Sequence, residues 1–71
     1  MSSKLQNKLR EVRTGSNSMT QQQLADLVGV SRQTIISIES GRYSPSLELA
    51  IKISEALDYD LKQIFWLENN A

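Results

Sequence analysis

Residues 21–42 read QQQLADLVGVSRQTIISIESGR, and the spacing predicts two short helices joined by a tight turn. Thr20 stands three positions before Gln23, a capping-box pair in which the hydroxyl accepts from the Gln23 amide and the Gln23 side chain reaches back. A helix therefore starts at Gln21. Leu24, Leu27 and Val28 recur at spacings of three and four as an apolar stripe, and Ala25 beside them is small enough for another helix to cross closely. Gly29 ends this helix, because the residue past a helix end often needs a positive φ, which glycine adopts without a Cβ penalty. Ser31 caps the second helix, with Ile35 and Ile38 inward and Arg32, Gln33, Thr34, Ile36 and Ser37 outward; Gly41 stops it.

A first turn that displays Arg, Gln and Thr suits the reading of base edges. Arg can bond guanine bidentately, Gln can do the same to adenine, and the Thr methyl can touch thymine. The same turn carries amide donors and the positive dipole end that favour phosphate. On spacing alone, ordinary solvated polar residues explain the pattern as well.

The stretch resembles the helix-turn-helix of the phage-repressor-like regulators, the XRE or Cro/C1-type family, and the likeness runs from about Lys8 to Phe65. It rests on Thr20-Gln21, Leu24-Ala25, Val28-Gly29-Val30-Ser31, the run from Ser31 to Ile35, Ile38-Glu39, Gly41-Arg42 and Pro45-Ser46-Leu47. The resemblance implies an all-α, five-helix lambda-repressor-like DNA-binding domain over residues 1–71, with the helix-turn-helix at 21–40 and a short extended segment left open at the C terminus. It also implies a transcriptional regulator, expected to be a repressor, whose third helix reads double-stranded DNA. Base contacts fall on Arg32, Gln33, Thr34 and Ser37. Phosphate contacts fall on Gln21, Ser31, Arg42, Tyr43 and Ser44, although Tyr43 reads equally as packing under its loop. An antitoxin or adaptor on the same fold is the rival reading.

Composition bounds the alternatives. At 71 residues the chain is one small domain, near the size where a single core is only marginally stabilising. With no Cys and no His, disulfide frameworks, thiol or imidazole catalysis and the usual zinc sites are excluded. There is no nucleophile with a base and no phosphate-cradling Gly-rich loop, so an enzyme is not expected, nor a cofactor or small-molecule ligand. No apolar run is long enough for a membrane span or signal peptide, so the expected location is cytoplasmic. Without a ligand-sensing segment after the helices, any signal is expected to act through a partner protein, proteolysis or concentration. The net charge is zero, yet residues 1–47 hold six basic against three acidic side chains and residues 48–71 two against five. A basic side bearing the recognition helix and an acidic side turned from DNA would account for this, as would accidental clustering in so short a chain.

Outward from the central stretch, Leu5, Leu9 and Val12 predict a first helix from Lys4 to about Thr14, followed by the polar turn TGSNS. Against the family pattern this turn is one residue longer. In the family a basic residue ending helix 1 pairs with an acid late in helix 3, which implies a structural ion pair between Arg13 and Glu39. After the loop at residues 42–45, Ser46 caps a fourth helix from about Leu47 to Leu57, with Leu47, Ala50, Ile53 and Leu57 inward and Leu49 and Ala56 widening that face. Asp58 takes the place of the usual terminal glycine, and Asp60 with Gln63 opens a last helix over about Leu61 to Phe65. Ile64, Phe65, Trp66 and Leu67 are too apolar for a solvated tail. They either complete the core or form a symmetric patch, within residues 60–68, that joins two copies. A homodimer would read an inverted repeat with half-sites roughly 34 Å apart. Trp66 and Leu67 also suit a strand pairing with its twin.

Overall fold

The computed structural model describes residues 2–15 and 17–70. Among them run a strand β1 (Ser2–Asn7), five helices α1 (Leu9–Thr14), α2 (Gln21–Val28), α3 (Arg32–Glu39), α4 (Leu47–Leu57) and α5 (Leu61–Ile64), and a strand β2 (Phe65–Asn70). The fold is therefore helical with a two-stranded ribbon, not strictly all-α.

The largest departure from the sequence reading lies at the N terminus. Residues 4–7 are strand, not the first turn of a helix, because β1 lies antiparallel to β2 with Leu5 opposite Leu67, Lys4 opposite Glu68 and Asn7 opposite Phe65. Leu5 at a helical spacing from Leu9 serves equally as an alternating strand residue, and pairing with a distant segment decided between them. Asn7 makes the switch from strand to helix. Its Oδ1 accepts from the Leu9 amide at 3.1 Å, while its Nδ2 donates to the Ile38 carbonyl at 3.0 Å, tying the ribbon to α3. The extended C-terminal segment is present and pairs with β1 of its own chain.

Three of the helix starts follow their caps. Thr20 and Gln23 form the reciprocal capping box of α2, at 3.0 and 2.8 Å. Ser31 Oγ accepts from the Thr34 amide at 3.2 Å, and Ser46 Oγ from the Leu49 amide at 3.1 Å. At α5 the Asp60 amide donates to Gln63 Oε1 at 2.9 Å. Gly29 ends α2 at φ 77° and Asp58 ends α4 at φ 57°, both left-handed. A Cβ at Gly29 would meet nothing within 4 Å, so a substitution there costs conformational energy alone. Gly29→Ala is expected to lower stability by about 1 to 2 kcal/mol, and Gly29→Asn by less, in paired thermal melts.

The core gathers Leu9 and Val12, Leu24, Ala25 and Val28, Ile35 and Ile38, Leu49, Ala50, Ile53 and Leu57, and finally Ile64 and Phe65. Two expected core residues stand outside it: Leu27 is 63% exposed and Leu47 69%. Each shares its helix's apolar stripe but lies at the edge, where no facing element covers it. Of the two readings offered above for the apolar stretch at 64–67, Ile64 and Phe65 take the core and not the dimer patch, at 0% and 6% exposed. Trp66 and Leu67 remain open at 42% and 66%.

The linker after α1 is laced down. The Met19 amide donates to the Arg13 carbonyl at 2.9 Å, and Asn17 Nδ2 donates to the Leu57 carbonyl of α4 at 3.2 Å. Ser16 lies outside the described residues.

Candidate nucleic-acid interface

The third helix is fixed from below and open above. Ile35 and Ile38 are wholly buried, which orients the opposite side of α3 outward and leaves Arg32 and Gln33 exposed, with Thr34, Ile36 and Ser37 half-buried. Ser31 Oγ and Thr34 Oγ1 share a hydrogen bond of 3.0 Å.

The C-terminal end of α3 is clamped to the scaffold. Arg13, at the end of α1, donates from Nε to Glu39 Oε2 at 2.7 Å and from Nη2 to Oε1 at 3.2 Å, with both side chains under a tenth exposed. Its Nη1 donates to the Met19 carbonyl at 2.8 Å, so one guanidinium joins α1, the linker and α3. Gln21 Nε2 adds a bond to Glu39 Oε1 at 3.1 Å, which brings in the start of α2. Among the described residues no buried side-chain nitrogen or oxygen lacks a partner. A bidentate, fully bonded pair of this kind sets geometry more than it adds stability.

A phosphate contact at Gln21 is expected through its side chain or its amide. Its side chain is engaged by Glu39, and the part of the residue that suits a phosphate is its backbone amide in the first turn of α2. The loop after α3 follows from a left-handed Gly41 at φ 80°. The Gly41 amide donates to the Ile38 carbonyl and the Arg42 amide to the Ser37 carbonyl, both at 3.0 Å, the double bond pattern of a Schellman cap. This holds Arg42, Tyr43 and Ser44 on the surface. Tyr43 is 47% exposed, so it does not pack beneath the loop.

Two ion pairs occur among the described residues, Arg13 with Glu39 and Lys52 with Glu48 on α4. Arg10, Arg32 and Arg42 form no ion pair among the described residues. Arg10 had no assigned part in the sequence reading, because its use depends on where α1 lies against α2. No group of metal-ligating side chains and no helix long and apolar enough to cross a membrane occurs among the described residues.

A helix-turn-helix sequence model matches residues 9–64, from the start of α1 to the end of α5. The chain belongs to the helix-turn-helix family of DNA-binding transcriptional regulators, of the XRE or Cro/C1 type. It is 44% identical over 64 residues to the HTH-type transcriptional regulator YgzD of Bacillus subtilis, covering 90% of this chain and 96% of that one. It is 47% identical over 66 residues to the HTH-type transcriptional regulator MJ0272 of Methanocaldococcus jannaschii, covering 93% and 98%. Its structure superposes on the restriction-modification controller protein C.AhdI of Aeromonas hydrophila with a TM-score of 0.71 and 34% identity, over 78% of this chain and 82% of that one. The helix-turn-helix match spans α1 to α5 and leaves both strands of the ribbon outside it.

Proposed function

We propose that this protein is a sequence-specific repressor that binds an inverted-repeat operator as a homodimer, each subunit laying α3 in the major groove. The observation that carries the reading is α3 itself, which presents Arg32 and Gln33 to solvent while Glu39 at its far end is bound to Arg13 and Gln21. In this reading Arg32, Gln33, Thr34 and Ser37 contact bases. Ser31, Arg42, Tyr43, Ser44 and the Gln21 amide contact phosphates, and Trp66 with Leu67 joins the two copies. Repression needs no further surface, because a bound dimer blocks polymerase by occupancy, and a cytoplasmic location fits a DNA partner.

The deciding experiment is selection of bound sites from random duplexes at stated salt. A palindromic consensus with half-sites about one helical turn apart is expected. Enrichment of no site, with capture of a partner protein instead, would overturn the reading in favour of an antitoxin or adaptor. Within it, Gln33→Ala should cost about 1 to 3 kcal/mol on the selected site and relax preference at one base position. Arg42→Ala should instead weaken selected and scrambled duplexes alike and flatten the salt dependence. Equal effects of the two changes on every duplex would remove the division between base and phosphate contacts.

A further inference from the structure

Asn7 ends β1 and bonds two helices at once. Its Oδ1 accepts from the Leu9 amide at 3.1 Å, and its Nδ2 donates across 31 positions of sequence to the Ile38 carbonyl at 3.0 Å. Ile38 lies in the last turn of α3, where a carbonyl has no partner within its own helix, and the same oxygen also takes the Gly41 amide at 3.0 Å. Asn7 therefore holds the atom at which α3 ends and the surface loop of Arg42, Tyr43 and Ser44 begins. In the ribbon, Asn7 stands opposite Phe65 and next to the Gln6–Trp66 and Leu5–Leu67 pairs. The exposed residues Trp66 and Leu67 thus lie one and two ladder positions from the residue bonded to α3. Apolar packing of Ile38, Ile64 and Phe65 also links these elements, but contact of that kind is non-directional and leaves an angle soft. A hydrogen bond to a fixed carbonyl weakens steeply as it bends, so Asn7 supplies the direction.

We propose that Asn7 is a positioning residue that sets the angle of α3 to the ribbon, and through it the half-site spacing that the homodimer accepts. The inference rests on the readings of α3 as the recognition helix and of Trp66 and Leu67 as the join between copies. Two recognition helices engage one duplex together only where their separation matches the DNA repeat, and one base pair of error carries the second half-site about 3.4 Å along the axis and roughly 35° around it. A helix bonded stiffly to the joining ribbon cannot follow that shift. One held by packing alone can. Asn7 precedes the helix-turn-helix match at 9–64, so this control comes from the ribbon.

Duplexes carrying the selected inverted repeat, the same repeat with one base pair added or removed between half-sites, and a single half-site are titrated with wild type, Asn7→Ser and Asn7→Asp. Both variants keep an acceptor for the Leu9 amide, whereas serine is too short to reach Ile38 and aspartate has no N–H to donate. Wild type should prefer the selected spacing by roughly tenfold or more, and both variants should narrow that preference to about threefold or less, with half-site affinity within about twofold of wild type. Sedimentation equilibrium should find the variants as dimeric as wild type, and the amide resonances of Gly41 and Arg42 should shift while those of Leu24 and Ala25 stay. All titrations are run below the melting midpoint of the weaker variant. An unchanged spacing preference in folded, dimeric Asn7→Ser and Asn7→Asp would overturn the proposal and leave the recognition helix and the dimer standing. So would equal weakening on every duplex with the preference intact, which is the mark of a local structural part. A wild type that is monomeric, or that binds all three spacings equally, removes the paired reading itself and the proposal with it.

Discussion

Glu39→Ala should destabilise the protein by about 3 to 5 kcal/mol, because it leaves the Arg13 guanidinium buried without its carboxylate. Arg13 and Glu39 side chains are 8% and 7% exposed, so little water reaches either to take over the lost bonds. A domain of this length holds roughly 4 to 11 kcal/mol of stability in all, and each kcal/mol moves the melting midpoint by about 4 to 8 °C. The midpoint should therefore fall by at least about 12 °C, and some of the chain should be unfolded at 37 °C. Gln21→Ala removes one neutral donor to the same carboxylate and should cost about 1 to 2 kcal/mol. The double change Arg13→Met with Glu39→Leu removes both charges together and should recover most of the loss, while DNA affinity stays reduced if the pair's work is to hold α3 at its angle. A Glu39→Ala midpoint that does not move would dispose of the clamp. A double variant with full affinity would show that core packing alone orients the helix.

The second large effect concerns assembly. Leu67 is 66% exposed beside a Trp66 that is 42% exposed, so an aspartate at 67 costs the isolated subunit little. If those residues join two copies, Leu67→Asp separates them, and two recognition helices no longer act as one binder. The affinity then lost is the avidity of a paired site, on the order of 10²- to 10⁴-fold, while affinity for a single half-site stays unchanged. Sedimentation equilibrium and titration of full and half operators measure both quantities. A variant still dimeric, or a wild type that binds the full operator as a monomer, would take Trp66 and Leu67 out of the interface. The apolar groove bordered by Leu5, Leu47, Trp66 and Leu67 makes Leu47→Asp a useful companion, since that exposed residue borders the same surface from α4.

Most of the architecture was legible in the chain because it is locally encoded. Thr20 with Gln23, Ser31, Ser46 and the left-handed positions Gly29, Gly41 and Asp58 state where helices begin and end through bonds reaching only three to five residues. Periodicity found Leu24, Ile35, Ile38 and Ile53, whose burial follows from lying in the middle of an apolar stripe. It failed for Leu27 and Leu47 at stripe edges, since one helix's pattern does not contain the position of its neighbour. The pairing of Arg13 with Glu39 was legible only through the family likeness, as 26 residues separate the partners.

What the sequence by itself determined is the set of helices, their caps and the identity of the outward residues of α3, because these depend on contacts within one or two turns. Only the tertiary structure decided that residues 2–7 form a strand against residues 65–70, that Ile64 and Phe65 face inward, that Gln21 bonds Glu39, and that Asn7 bonds the Ile38 carbonyl. Each of these joins segments far apart along the chain. Their energies depend on how whole elements meet, and no local window of residues carries that information.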